Sequence, residues 1–434
     1  MRQGNLTSEH HPELVSCHKR LVLPRALNNR RRRQKRSIHG QLCLDISQSE
    51  VAAGVADQYL DDCQISSGSV PHPHTIMTSE SPMTNGLNEN SRWQPLPRAE
   101  VIKAVERERP MRIPLAFARW WGEGLVDQYG ERLQQLEKYP EDAVLTLIDP
   151  IRYDDMGLSW PLHTGRAKDS DFVLRDWADL DEFLAKLPDP EHDERFAEWQ
   201  AQADAAHASD RYYLFGWWLF LFERAWQIRG MENLLTDYYL YPDEVHRLHG
   251  ALCDLYIRYL QRAERELHPD GFWTSDDLGH QQQLMMQPAL FRQILKPYYA
   301  RIGTFLKENN LHWWLHSCGN NTAILGDLAE TGVDVFHPVQ KGTMDEQAVA
   351  RDYGDRLTIL AGIDVQHVLQ ECSPAGVRAE VRFLIDTFDR AEGGMCIAAG
   401  NGIVAGTPLE NIDAFLDEAL RYGIKHRGAR DGLL

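Results

Sequence analysis

The chain has 434 residues, of which 43% are hydrophobic and 25% charged, a composition typical of a globular protein with one large domain or two to three ordinary ones. Its net charge of −18 argues against non-specific binding to nucleic acid, and no apolar run approaches the ~20 residues that cross a bilayer. Seven scattered cysteines, with no CxxC pair and no visible signal peptide, favour a reducing cytoplasm.

Residues 1–92 differ in composition from the rest of the chain. They contain a basic cluster at 30–36 and a stretch at 66–91 that is rich in Ser, Pro, His and Asn. Such segments bury too little apolar surface to offset the entropy of ordering, so we predict a disordered N-terminal extension. The extension is alternatively an artefact of the assigned start, since Met77 and Met83 both precede the folded type of sequence.

From residue 98 onward, short apolar runs alternate with segments of helical spacing. The apolar runs predict eight strands, at 113–117, 144–148, 212–215, 271–275, 313–315, 333–336, 357–360 and 395–398. The helical spacing predicts helices at 98–108, 126–139, 177–187, 192–207, 219–228, 232–240, 242–267, 290–306 (with a break at Pro297), 322–330, 345–353, 374–388 and 409–422.

Eight buried strands, each followed by a helix, are typical of a single (β/α)8 TIM barrel of the α/β class. We expect this barrel to span 98–423 and to be followed by a C-terminal tail at 424–434. An open doubly wound sheet is the structural alternative.

The active site of such a barrel lies at the C-terminal ends of its strands. The polar or reactive side chains at those ends are, in chain order, Arg119, Trp120, Asp149, Glu223, Asp276, Asp277, His316, Cys318, His337, Gln340, Asp364 and Asn401. Structural readings remain open for several residues: Asp277 also suits a helix cap, His337 a turn before Pro338, and Cys396 the core.

The pair His316 and Cys318 follows the apolar run 311–315. In an extended chain, residues two apart point to the same side, and a helix-like segment opens at Asn320, where a thiolate is favoured. Zinc binds both Cys sulfur and His nitrogen. The spacing alone leaves two readings, a pair of metal ligands or a buried cysteine beside a hydrogen-bonded histidine.

Several phrases taken together resemble the uroporphyrinogen decarboxylase superfamily. They are SDDLG at 275–279, HSCGN at 316–320, GVDVFHPVQ at 332–340, AGID at 361–364 and GTPLENI at 406–412, supported by ERPMRIPLAF at 108–117 and RGMENLL at 229–235. The resemblance covers residues 98 to 423 and implies a single (β/α)8 barrel, in agreement with the strand count.

The resemblance implies one of two chemistries. Decarboxylases of the superfamily act on a tetrapyrrole without metal or cofactor and hold its carboxylates with an Arg-rich N-terminal loop, for which ARWWGEG at 118–124 offers only Arg119. Methyltransferases linked to cobalamin or coenzyme M carry zinc on a His-x-Cys pair and a later Cys. His316 and Cys318 match that pair, whereas Asn401 stands where the later Cys would fall.

The leading hypothesis is therefore a zinc-dependent methyltransferase that moves a methyl group between a corrinoid, such as methylcobalamin on a partner protein, and a thiol or similar small acceptor. The expected metal ligands are His316 and Cys318, with a third from Glu223, Asp276, Asp277 or Cys396. The expected catalytic residues are Asp277, Asp276, Arg119 and Glu223, and the expected cofactor-binding residues are His337, Gln340 and Asn401. The alternatives are a cofactor-independent decarboxylase and a non-catalytic barrel that binds a small molecule.

Overall fold

The computed structural model describes residues 94–158 and 172–430. The predicted disordered extension, with its two alternative starts, lies outside the described residues. Within the described ranges, no helix is both long enough and apolar enough to cross a membrane.

Seven parallel strands form one sheet, in which each strand is hydrogen-bonded to its neighbours in the sequence. The strands are β1 Ala143–Ile148, β2 Tyr212–Trp217, β3 Gly271–Ser275, β4 His312–His316, β5 Val335–His337, β6 Thr358–Ile363 and β7 Met395–Ala399. The helices are α1 Arg98–Glu106, α2 Leu125–Tyr129, α3 Leu180–Leu184, α4 Phe196–Ala208, α5 Phe222–Arg229, α6 Met231–Leu240, α7 Pro242–Leu267, α8 Pro288–Ile294, α9 Lys296–Glu308, α10 Leu325–Thr331, α11 Glu346–Tyr353, α12 Val368–Glu371, α13 Pro374–Phe388 and α14 Leu409–Arg430.

The first predicted strand, 113–117, is not a regular strand, so the eight-stranded barrel is not confirmed. This segment makes one isolated bridge, between Leu115 and Ile397 of β7, and the Leu115 carbonyl accepts from the Asp142 backbone N–H just before β1 at 2.7 Å. Pro114 lacks an N–H, and Phe117 has a φ of 57°, so the segment cannot extend a ladder on either side. It nevertheless forms backbone hydrogen bonds with β7 and with the residue that precedes β1, and β1 and β7 are the two edge strands of the sheet.

The sheet is curled around an inner apolar cluster, because this one cluster holds residues of every strand. Its strand members include Ala143, Tyr212, Leu214, Trp273, Trp314, Val335, Leu360, Cys396 and Ala398. Helix α1 adds apolar residues to the same cluster, and its Ala104 and Val105 carbonyls accept hydrogen bonds from Gly394 and Thr358 at the starts of strands. Helix α1 therefore covers the N-terminal edge, and Cys396 lies in the core.

Two helix predictions differ from the structure in an instructive way. The predicted helix at 126–139 is the short α2 followed by a 3-10 helix, Gly130–Leu136. Helix α14 continues to Arg430, so residues 424–430 of the predicted tail are helical. The predicted break near Pro297 is confirmed as the boundary between α8 and α9.

Candidate metal centre

The registers of β3, β4 and β5 bring three strand ends level with one another. Ser275 pairs with His316, and His316 pairs with His337. Because parallel strands all end at the same edge, the residues that follow β3 and β4 enter the same space. Asp276 and Asp277 follow the first of these strands and Cys318 follows the second.

Three donor atoms meet at this edge. The Cys318 sulfur lies 3.3 Å from Nε2 of His316, which lies 3.8 Å from Oδ1 of Asp277. All three donor atoms lie within 4.8 Å of one another, and in the described part of the chain no other group of three His, Cys, Asp or Glu residues is placed this closely. Zinc bonds of about 2.0–2.3 Å in a tetrahedron separate neighbouring ligand atoms by roughly 3.3–3.8 Å. The two distances from His316 match this range, and the three donor types are ones that zinc binds.

The loops that carry the three donors are held against each other. The Cys318 backbone N–H donates to Oδ1 of Asp277 at 2.7 Å. Gly319 has a φ of +77°, and a Cβ built on it would lie 2.4 Å from the Gly279 backbone. The glycines of the SDDLG and HSCGN motifs thus allow two backbones to touch, which brings Asp277 to Cys318.

His316 is buried, and each of its two ring nitrogens has a polar neighbour. Its Nδ1 lies 2.7 Å from Nδ1 of His337, whose Nε2 lies 3.0 Å from the Ala399 carbonyl at the end of β7. Burial, and then the neighbouring His337, hold the pKa of His316 well below its usual value, and burial lowers the pKa of His337 to about 4. Both rings are therefore neutral near pH 7.

Aromatic rings pack against the two histidines, His316 and His337. Trp120 and Trp218 both meet the ring of His316 edge-on, with centroid distances of 5.6 and 5.8 Å, and Trp120 also contacts His337. Trp120 and Trp218 are half-buried, whereas His316 is 1% exposed and Cys318 is 9% exposed. Cys318 is thus the most exposed residue of the donor set.

The two other carboxylates predicted to be catalytic have structural partners. Asp276 accepts hydrogen bonds from the backbone N–H groups of Phe222 and Glu223 and from the Tyr299 hydroxyl, so it caps the start of α5. Burial raises its pKa to about 6, against the effect of the Tyr299 hydrogen bond. Glu223 accepts from the Ser275 hydroxyl at 2.8 Å, and burial with the two neighbouring carboxylates holds its pKa well above the usual value. Burial and the neighbouring carboxylates therefore favour the protonated form of Glu223.

The three residues predicted to bind a cofactor all lie near the donors. His337 contacts His316, as described above, and Oε1 of Gln340 accepts from the Gly319 backbone N–H at 2.7 Å, which braces the Cys318 loop. Nδ2 of Asn401 lies 3.7 Å from the Cys318 sulfur, while Oδ1 of Asn401 accepts from the next backbone N–H at 2.7 Å. Asn401 therefore turns its amide N–H towards the sulfur and its oxygen towards the neighbouring backbone.

Asn401 and Trp120 belong to two loops that pair with each other. The Ile403 backbone N–H donates to the Trp120 carbonyl at 2.8 Å, and the Gly122 N–H donates to the Ile403 carbonyl at 2.9 Å. A Cβ on Gly122 would lie 2.9 Å from the Gly402 backbone, so this pairing requires glycine. The contacts of Trp120 with the histidines and of Asn401 with the sulfur thus come from one joined element.

Other polar residues at the strand ends lie outside the donor set. Arg119 faces Glu141, with Nε 3.9 Å from Oε2, and Asp149 pairs with Arg224 at 2.7 Å. Asp364 accepts from two backbone N–H groups of its own turn. The Ala399 carbonyl was not among the predicted site groups, because a backbone oxygen leaves no residue-type signal in a sequence.

Comparison with known proteins identifies relatives of two activities. The family described as Uroporphyrinogen decarboxylase (URO-D) matches residues 132–422. Methylcobamide:CoM methyltransferase MtaA of Methanosarcina barkeri is 32% identical over 133 residues, which are 30% of this chain and 36% of that protein. Methylated-thiol–coenzyme M methyltransferase of Methanosarcina mazei is 23% identical over 45% of this chain and 49% of its own length. Uroporphyrinogen decarboxylase of Coxiella burnetii is 24% identical over 43% of this chain and 50% of its own length.

The chain thus spans between about a third and a half of the length of the curated relatives it matches. A solved structure of a methyltransferase from Methanosarcina mazei covers 75% of this chain and 98% of its own, with a TM-score of 0.57 and 17% identity. This structural likeness supports the fold.

Proposed function

This chain belongs to the uroporphyrinogen decarboxylase family, and we propose that within it the protein is a zinc-dependent methyltransferase that moves a methyl group between a corrinoid and a thiol or similar small acceptor. The observation that carries the proposal is the convergence of Asp277, His316 and Cys318. It is supported by the partial similarity to a methylcobamide:CoM methyltransferase and to a methylated-thiol–coenzyme M methyltransferase. The corrinoid is methylcobalamin, carried by a partner protein.

Within this proposal, the Cys318 thiolate, the Asp277 carboxylate and the neutral His316 ring would hold zinc. One thiolate and one carboxylate balance the charge of a divalent ion, so Asp277 replaces the charge of the second cysteine that Asn401 does not supply. When bound, zinc would supply the Lewis acidity that favours the thiolate form of an acceptor thiol. The N–H of Asn401 donates to the Cys318 sulfur, and the rings of Trp120 and Trp218 shield the His316 side of the site from water.

The transfer balances as a displacement at carbon. In the direction of thiol methylation, the acceptor sulfur forms the new bond to the methyl carbon, the corrinoid keeps the electron pair of the broken cobalt–carbon bond, and the thiol proton is released. We also propose a reducing cytoplasm as the compartment, since the seven cysteines of the chain are scattered and form no CxxC pair.

The decisive experiment is zinc analysis of the purified protein and of two cysteine variants. We expect about one zinc per chain in the wild type and its loss in Cys318→Ala, because the remaining two donors leave the ion under-coordinated. Cys372→Ala is the matched control and is expected to retain zinc, since Cys372 is exposed and does not belong to the donor set. Stoichiometric zinc in Cys318→Ala would rule out the site.

Activity is tested on the same proteins with methylcobalamin and a panel of small thiols. We expect demethylation of the corrinoid that depends on the thiol, is abolished by a chelator, and is restored by zinc. Cys318→Ala is expected to be inactive under these conditions and Cys372→Ala to match the wild type. Full activity of the wild type in chelator contradicts the proposal.

Decarboxylation without metal is the alternative activity. It is favoured by the partial similarity to the Coxiella burnetii decarboxylase and by the raised pKa of buried Glu223, which suits a proton donor. Loss of carboxylate from a tetrapyrrole in the presence of chelator would establish it. A non-catalytic binding barrel predicts neither reaction.

A further inference from the structure

A chain of hydrogen bonds runs from the backbone of β7 to the donor set through two buried rings. The Ala399 carbonyl lies 3.0 Å from Nε2 of His337, and Nδ1 of His337 lies 2.7 Å from Nδ1 of His316. The remaining nitrogen, Nε2 of His316, lies 3.3 Å from the Cys318 sulfur. Three strands that are not all adjacent, β4, β5 and β7, each contribute one link.

The chemistry of the links fixes the place of every proton. A carbonyl oxygen only accepts, so Nε2 of His337 carries the proton of that ring. A neutral imidazole carries one N–H, so Nδ1 of His337 is an acceptor, and Nδ1 of His316 must donate to it. The other nitrogen of His316 therefore presents a lone pair to Cys318 and Asp277.

The opposite tautomer of His316 is disfavoured at Nδ1 and leaves Nε2 without a lone pair for a metal. Its Nδ1 lone pair would lie 2.7 Å from the Nδ1 lone pair of His337, and its Nε2–H would occupy the space between the three donors. Rotation of the ring does not relieve the conflict, because Trp120 and Trp218 both pack edge-on against it.

We infer that His337 is a positioning residue, which selects the Nδ1–H tautomer of His316 and thereby makes Nε2 the nitrogen that binds the metal. The inference rests on the metal site of the proposed function and extends it to a residue outside the three donors. Partners that hold the second nitrogen of a ligating histidine typically change metal affinity 10–100-fold when removed, usually through a carboxylate or a backbone carbonyl. Here a second histidine relays the backbone carbonyl to the ligand.

Two substitutions at His337 separate the acceptor from the bulk of the ring. In His337→Asn, the amide oxygen lies as many bonds from Cα as Nδ1 does, so it keeps an acceptor for His316. In His337→Phe, the ring is kept and the acceptor is lost. We expect the zinc dissociation constant to rise roughly 10–100-fold in the Phe variant and to stay within a few-fold of the wild type in the Asn variant. Competition with a chromogenic chelator measures both.

The tautomers themselves are read without metal or activity. In zinc-free wild-type protein labelled with 15N-histidine, one- and two-bond couplings identify the protonated nitrogen of each ring. We expect Nδ1–H for His316 and Nε2–H for His337. Far-UV circular dichroism and a thermal melt check that the variants fold.

The outcomes distinguish the inference from the function on which it rests. An Nε2–H tautomer of His316 in the wild type, or unchanged zinc affinity in a folded His337→Phe, overturns the inference even if zinc is bound. A wild type that never binds zinc overturns the inference and the proposed function together. The expected tautomers together with the expected affinities, but without methyl transfer, support the inference and overturn the proposed function alone.

Discussion

The two ends of β4 each carry a histidine, and the two residues are used in opposite ways. At the start of the strand, His312 has partners on both nitrogens, since Nδ1 lies 2.9 Å from the Tyr212 hydroxyl and Nε2 lies 3.1 Å from Oε1 of Glu106. At the end of the strand, one nitrogen of His316 is held by His337, and the other faces the Cys318 sulfur.

The difference shows how one strand divides stability from chemistry. The hydrogen bonds of His312 connect only structural groups. The Tyr212 hydroxyl also accepts from the indole N–H of Trp314. Glu106 belongs to α1, the helix that covers this edge of the sheet. The network around His316 ends in a sulfur and a carboxylate that a metal can bind together. Stability at the N-terminal face and function at the C-terminal face is the usual division in barrels of parallel strands.

The largest expected effect comes from exchanging each histidine for glutamine. His316→Gln removes a zinc ligand, so we expect zinc affinity to fall by more than the ~100-fold that changes to a ligand's hydrogen-bond partners produce. His312→Gln is the matched control at the other end of the strand. It should keep full zinc and lose about 1–3 kcal/mol of unfolding free energy from its broken network. Equal zinc loss in both variants, measured by chelator competition beside urea unfolding, would break the comparison.

A smaller effect, a gain in zinc affinity, is expected when a second cysteine is added to the donor set. Asn401→Cys places a thiol on the loop whose side chain already reaches to 3.7 Å from the Cys318 sulfur. A second thiolate should raise zinc affinity about tenfold or more and roughly double the sulfur-to-metal charge-transfer absorption of the cobalt(II)-substituted protein. Asn401→Ala is the control, because it removes the amide without adding a ligand. A cobalt spectrum of Asn401→Cys identical to that of the wild type would show that this loop does not reach the metal.

The sequence predicted much of the fold because apolar runs and proline positions are local signals. The bounds of β3 were predicted without error, as were those of α7, which begins at Pro242 in a first-turn position. The prediction of a first strand at 113–117 is wrong. Pro114 has no backbone N–H and Phe117 has a positive φ, so this segment cannot form a regular ladder. An apolar run reveals burial, whereas a ladder also requires each backbone N–H.

The site was predictable only where spacing along one chain decides the geometry. The two-residue rule brought His316 and Cys318 together as expected. It does not distinguish Asp276, which caps α5, from Asp277, whose carboxylate lies within 4.8 Å of the sulfur. The hydrogen bond from His337 to Ala399 depends on the fold of non-adjacent strands, which no local pattern encodes.

The smallest expected effect tests a third histidine that lies at neither end of β4. His249 is fully buried on α7, where Nε2 has only a long contact of 3.4 Å with the Tyr238 hydroxyl, and burial, with a smaller contribution from His246, lowers its pKa to about 3. Its pKa in the folded state lies below the unfolded value near 6.5, so its contribution to stability is complete above pH 6.5 and is lost as the pH falls towards 3.

One such proton changes the unfolding free energy by at most about 1.4 kcal/mol per pH unit. We therefore expect the wild type to lose about 1 kcal/mol more than His249→Phe between pH 6.5 and 5.5, as measured by urea unfolding at each pH. Zinc affinity should be unchanged in this variant, because burial without a nearby ligand atom affects stability alone. Identical pH slopes for the two proteins would mean that His249 takes up its proton in the folded state, and that burial by itself does not keep a ring neutral in this fold.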